Sequence, residues 1–152
     1  MRESREEIRV ASLRDLDATT LYAILKLRVD VFVVEQQCPY PELDGRDDEP
    51  GTRHVWLSRD DEILAYLRIL DNDGTARIGR VVTAASARKG GHASRLMAHA
   101  LTVVGDRSAT LESQAHLTGF YGRFDFEVAG AEYLEAGIAH VPMVRAARRR
   151  SP

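Results

Sequence analysis

Ile78-Gly79-Arg80-Val81-Val82-Thr83, a loop of small residues, and then Arg88-Lys89-Gly90-Gly91-His92-Ala93-Ser94 form the stretch that decides the fold. The first six residues end a strand predicted over residues 76–83, with a loop at 84–91. A helix is predicted over 92–104, because Ala93, Leu96, Met97, Ala100, Leu101 and Val104 recur at helical spacing and Gly105 stops it. A helix entered through two glycines presents unpaired N–H groups and a partial positive charge. Glycine lets the backbone curl so that several N–H groups converge on one anion. Ala93 is small enough to let that anion approach, and Arg88 and Lys89 add charge suited to a diphosphate. A glycine turn before an ordinary helix reads the same way locally. A P-loop is excluded, since no G-K-[ST] stands at the required spacing, and G-x-G-x-x-G is absent.

Outward from this stretch the chain alternates short strands with few helices. Upstream, strands are predicted over 8–11, 54–59 and 62–70, with turns at Arg59-Asp60-Asp61-Glu62 and Asp71-Asn72-Asp73-Gly74. The short connections imply antiparallel pairing. Leu21, Ile24, Leu25, Arg28, Val31 and Phe32 predict one helix over 19–34, capped by Asp17 or Thr19 and ended by Cys38-Pro39-Tyr40-Pro41. Downstream, a strand over 109–115 should lie parallel to the strand before the glycine loop. A short helix at 117–124 and a hairpin over 126–134 and 138–144 complete one mixed sheet flanked by helices. The acidic run Glu42, Asp44, Asp47, Asp48, Glu49 reads as a solvated loop, or as a lure for a cationic ligand.

The 152 residues suit a single domain, 1–152, with a frayed basic tail from about 145. With 44% hydrophobic and 29% charged residues, the balance is that of a globular protein. A net charge of -2 gives no pull toward nucleic acid, despite Arg145, Arg148, Arg149 and Arg150. No apolar run is long enough for a bilayer, and the charged start lacks a signal segment. One cysteine, Cys38, excludes an internal disulfide and fits a cytoplasmic location. The five histidines show no metal-ligand spacing, so no metal is expected.

Arg88-x-x-Gly91-x-Ala93 resembles the R/Q-x-x-G-x-G/A signature of the GNAT N-acetyltransferases. Glu35-Gln36-Gln37-Cys38-Pro39-Tyr40, Gln114-Ala115-His116 and Gly137-Ile138-Ala139-His140 are similar to the ElaA-like subgroup. The resemblance implies an α/β (α+β) fold: one mixed, mostly antiparallel sheet splayed at its centre, with helices on both faces. It implies acetyl-CoA as donor, with its pyrophosphate on Arg88, Lys89, Gly90, Gly91, His92, Ala93 and Ser94 and its pantetheine along Val81, Val82 and Thr83. Main-chain N–H near Val82 would polarise the thioester carbonyl. Gln114 stands where many relatives have asparagine. Tyr121 matches the family tyrosine that serves the departing thiolate, although alone it reads as a core residue beside Phe120 and Phe124. Asp125 replaces an expected glycine, which aspartate can follow into the left-handed region.

The acceptor implied is an amine, on a small molecule or a protein, and many relatives dimerise. Glu112 and Glu35 are the leading candidates for its base, with His116 and His140 as further options and ordered water as a relay. Glu35, Tyr40, Asp44 and His54 fall in the half of the chain that lines acceptor clefts in the family. Cys38 has no adjacent base to activate it as a nucleophile. A CoA-binding protein without turnover is the rival reading.

Overall fold

The computed structural model describes residues 5–148. In chain order it contains β1 (Glu6–Ala11), α1 (Ala18–Val29), β2 (Arg53–Arg59), β3 (Glu62–Asn72), β4 (Thr75–Thr83), α2 (His92–Val104), β5 (Ala109–Gln114), α3 (Thr118–Gly122), β6 (Glu127–Val128), β7 (Tyr133–Glu135) and β8 (Ile138–Arg145). The strands form one sheet in the order β1-β2-β3-β4-β5-β8-β6, with β7 also on β8. Every pairing is antiparallel except β4 with β5. The other strands, α2 and the parallel crossover fall where the sequence predicts them, but the strand expected over 126–134 is broken into β6 and β7.

Two further expectations change. Asp17 caps α1 by accepting the Thr20 N–H at 2.7 Å, but the helix does not run on to Val34. Asp30–Glu35 winds as a π-helix instead, whose wider turns redirect the side chains that follow. The residues expected to fray from 145 are held as far as Arg148. Arg145 ends β8 opposite Ala109, the Arg148 N–H donates to Asp106 O at 2.9 Å, and the Arg148 guanidinium pairs with Asp125. Arg149 and Arg150 lie outside the described residues.

One face of the sheet buries Val55, Leu57, Leu67, Ile69, Ala76 and Ile78 beneath Leu96, Met97, Ala100 and Val104 of α2. The other packs Trp56, Tyr66 and Val82 against Ile24 and Val31. Helix α1 packs on β3 and β4, and on this second face the β5–β8 half carries the polar side chains of Glu112, Gln114 and His140.

Beneath α1 lies an ionic lattice. Arg28, fully buried, donates from Nε to Glu42 Oε2 at 2.8 Å and from Nη1 to Asp47 Oδ1 at 2.7 Å. Arg68 grips Asp44 with two bonds of 2.9 Å and reaches Asp47 at 3.1 Å. Arg80 reaches Asp44 at 3.3 Å, and its Nε lies 2.6 Å from Glu42 Oε2, off the line of its N–H. Its guanidinium also lies over Tyr40, 5.1 Å from the ring centre. Glu42, Asp44 and Asp47 are therefore not free in solvent to lure a cation, whereas Asp48 and Glu49 stay on the surface as a solvated loop would have them. Asp48 and Glu49 also pair, with Arg14 and Arg46. His54 belongs to the same lattice: Nδ1 meets the Tyr66 hydroxyl at 2.7 Å and Nε2 the Asp47 carbonyl at 3.0 Å. Burial depresses its protonation, so it sits neutral inside the fold rather than in an acceptor cleft.

Deleting one partner of such a lattice strands the others in low dielectric. Arg28→Met should cost about 3–5 kcal/mol in urea unfolding, by leaving Glu42 and Asp47 without their buried cation. Burial raises the Asp44 and Asp47 carboxyls, but the guanidiniums of Arg68 and Arg28 outweigh it and hold both below the usual range. A carboxyl depressed on folding stabilises the fold above its unfolded value, about pH 3.9, and ceases to do so as pH falls through the lower folded value. Unfolding followed from pH 6 downward should show stability lost below about pH 4, with Arg28→Met less sensitive over that window.

Candidate active site

β4 and β5 are joined only at Ala76–Ala109 and Arg77–Thr110. Beyond Arg77 they diverge. Tyr66 pairs with Val82 and Arg68 with Gly79, so Arg80 and Val81 together face Leu67. This is a β-bulge, and it increases the local twist that turns β4 away from β5. Arg80 takes φ 56°, a left-handed conformation that costs an L residue about 1–2 kcal/mol. Its contacts with Glu42, Asp44 and Tyr40 fix the guanidinium and offset that cost. From Gly79 to Thr83, main-chain groups that point away from β3 meet no strand on that side. The Val82 side chain is buried under α1, which leaves its backbone for the site.

Two pockets flank this edge. The smaller is lined by Thr83, Arg88, Lys89, Gly90, Gly91, His92, Ala93, Ser94 and Phe120. Gly91 caps α2 at φ 75°, without any side-chain cap bond, so the first N–H groups of the helix stay open to a ligand. Gly90 is required for a different reason: a β-carbon there would stand 2.6 Å from Nε2 of His92. The His92 ring is buried under the loop, with Nδ1 2.6 Å from an Arg95 nitrogen. Arg123 donates to Ser94 Oγ at 3.2 Å and lies over Phe120, forming a cationic rim.

The larger cleft lies between the diverging strands β4 and β5. Gly79, Arg80 and Val81 line it with Leu111, Glu112, Gln114, Tyr121, Glu135, His140, Phe32, Gln36, Tyr40 and Asp44. The Tyr121 phenol is buried against Phe120 and Phe126, and burial pushes its pKa up to about 12. It therefore holds its proton at neutral pH and can give it to an anion. Among the described residues its hydroxyl has no hydrogen-bond partner. Asp125 takes φ 69°, so the turn survives the missing glycine.

The candidate bases separate clearly. Glu112 faces the cleft, and the Tyr133 hydroxyl donates to its Oε2 at 2.7 Å. Glu35 does not face it. Its carboxylate is bound by Arg88 at 2.7 Å, and the π-helical winding brings Phe32 and Gln36 to the cleft instead. Arg88 is thus partly neutralised at the mouth of the smaller pocket. His116 is exposed on the turn before α3 and does not line the cleft. Sequence reading missed the roles of Arg80, Tyr133 and Phe32. The glycine next to Arg80 on a strand was the one signal of a bulge.

A family model described as "Acetyltransferase (GNAT) domain" matches residues 20–147. A UPF0039 protein of Mycobacterium tuberculosis is 48% identical over 145 residues, covering 92% of this chain and 93% of that protein. The crystal structure of an acyl-CoA N-acyltransferase from Pseudomonas aeruginosa superposes with a TM-score of 0.89 at 42% identity, covering 93% of this chain and 100% of that one. That of Escherichia coli ElaA gives 0.88 at 36% identity, covering 93% and 99%.

The buried phenol makes a direct test of the cleft. An ultraviolet titration compared with that of Tyr121→Phe should show the missing phenolate only above about pH 11, since the group titrates at about 12. A difference already complete near pH 10 would place the hydroxyl in water.

Proposed function

The chain belongs to the GNAT acetyltransferase family, whose members are acyl-CoA N-acyltransferases, and from that premise we propose that it moves an acetyl group from acetyl-CoA to a primary amine by direct attack in a ternary complex. One observation carries the proposal. The glycine cradle and the Tyr121 cleft adjoin the same unpaired stretch of β4, the cradle at Thr83 and the cleft along Gly79, Arg80 and Val81. A donor lying along that edge has its diphosphate at the start of α2 and its thioester beside the phenol.

The residues fit such a donor. The uncapped N–H groups of α2 suit a diphosphate, with Lys89 and the Arg123 rim adding positive charge. Gly91, at φ 75°, lets the loop turn into the helix without the strain an L residue would carry. Free main-chain groups on β4 suit the amides of a pantetheine arm, and Gln114 supplies a side-chain amide across the gap. Acetyl-CoA brings the activated acyl group. A main-chain N–H near Val82 stabilises the oxyanion formed when nitrogen attacks. The Tyr121 hydroxyl, protonated at neutral pH, meets the thiolate as it leaves.

The acceptor enters from the cleft between the 40–46 loop and the β7–β8 hairpin. With Glu42, Asp44 and Asp47 neutralised by arginines, Glu112 and Glu135 are the carboxylates that greet an ammonium there.

Calorimetry with acetyl-CoA, followed by thiol release with spermidine, glucosamine, kanamycin and a lysine peptide, tests this reading. Binding with turnover of at least one amine is expected, and Tyr121→Phe should lower kcat by about 10²-fold or more with the KM for acetyl-CoA little changed. Binding without thiol release would leave an acyl-CoA-binding protein that does not turn over. No binding at all would overturn the donor site.

A further inference from the structure

One cleft group meets three requirements of a base at once: a bare acceptor atom, a fixed orientation and no competing ionic partner. His140 stands opposite Gln114 on β5 and opposite Tyr133 on β7, so these side chains share the open face of the sheet. Its Nδ1 lies 2.7 Å from the main-chain oxygen of Ile138. A carbonyl oxygen only accepts, so Nδ1 carries the hydrogen, and in the neutral ring Nε2 keeps its lone pair. The ring stacks on Tyr133, with centroids 5.9 Å apart and planes at 25°. Tyr133 is itself pinned by its bond to Glu112. Ring plane and tautomer are therefore both set before any acceptor arrives.

The other basic groups are engaged or mismatched. Glu112 has one oxygen occupied by Tyr133, and Asp44 is held by both Nη atoms of Arg68. Glu42 is buried against Arg28, Glu35 is tied to Arg88, and both His54 nitrogens have partners. Glu135 lines the cleft but is exposed, and carboxylates in water are weak bases at neutral pH.

We infer that His140 Nε2 is the base that removes the proton from the acceptor ammonium, and that Tyr133 and Glu112 are its positioning residues. The assignment rests on the acyl-transfer reading above. The ammonium gives one proton to Nε2 and so frees the nitrogen lone pair. That pair forms the N–C bond, and the C–S bond then breaks with its electrons leaving on sulfur. Sulfur takes a proton from Tyr121, which regains one from the nitrogen of the adduct through water. Imidazolium returns its proton to solvent. The products are an amide, the CoA thiol and one released proton. Charged and titratable groups around the ring are Glu112 on β5, Tyr133 and Glu135 on β7, Arg77 on β4, and His116 on the turn packed against β8.

The test is His140→Asn, which keeps a donor for Ile138 O and removes the base. His140→Gln serves if the asparagine chain does not fold. kcat/KM for the best amine of the panel is measured from pH 5.5 to 9, and acetyl-CoA affinity by calorimetry. The parent should show an acid limb in this profile, since only the unprotonated ring can take the proton. The variant should lose that limb and about 10²-fold or more in rate at pH 7, with acetyl-CoA affinity unchanged within about twofold. A variant that keeps both the limb and most of the rate overturns the assignment while leaving acyl transfer standing. A parent that turns over no amine overturns both.

Discussion

A β-sheet can open in its middle only if the main-chain groups exposed by the opening find other partners. That constraint governs this molecule. Two residue pairs tie β4 to β5, and everything beyond them is an unsatisfied edge inside a folded protein. Such edges are usually covered or shortened, because they invite association. Here the edge is kept, with a helix N-terminus beside Thr83 and a side-chain cleft along Gly79, Arg80 and Val81. On the proposed reading, an extended ligand with amides in its chain and a diphosphate at one end would complete both the edge and the helix. The site follows from how the sheet fails to close.

The opening has a structural cost, met locally. The bulge puts Arg80 in a conformation unfavourable for a residue with a β-carbon. Its guanidinium is then held by Glu42, Asp44 and Tyr40. The loop that lines the acceptor side is thereby anchored to the strand that would polarise the thioester. Three arginines against three carboxylates leave this anchor near neutral, so it adds rigidity without dominating the field in the cleft. Donor and acceptor walls are held in register by one buried lattice rather than by the sheet.

What was legible in the sequence was whatever depends on near neighbours. Gly90-Gly91-His92 opens a helix at the position read, Asp17 caps α1, and the glycine-rich crossover makes β4 and β5 parallel. The departures arise from long-range pairing. Nothing near Glu42 or Asp47 in the chain announces Arg28, 14 and 19 residues away, so an acidic run reads as solvated although Glu42 is buried and Asp47 is paired with buried arginines. Glu35 reads as a free carboxylate because one π-helical segment, invisible to helical periodicity, turns it toward Arg88. His54 and His140 have the same composition-level signal. Only the partners of their ring nitrogens separate a core histidine from one with a bare nitrogen in the cleft.

The two walls of the site use different recognition chemistry, and this explains why one is easier to read than the other. Main-chain recognition constrains residue type only where a side chain would intrude, which is why a few small residues mark the donor side so clearly. The acceptor wall is assembled from side chains on β4, β5, β7, β8 and the loop after α1, elements far apart in the chain. No short motif can encode it, and each element can change independently without disturbing the cradle. On the proposed reading, such an arrangement would keep one donor while the side chains around His140 set the acceptor. Donor class therefore follows from the fold and its glycines, and acceptor identity follows from the cleft alone.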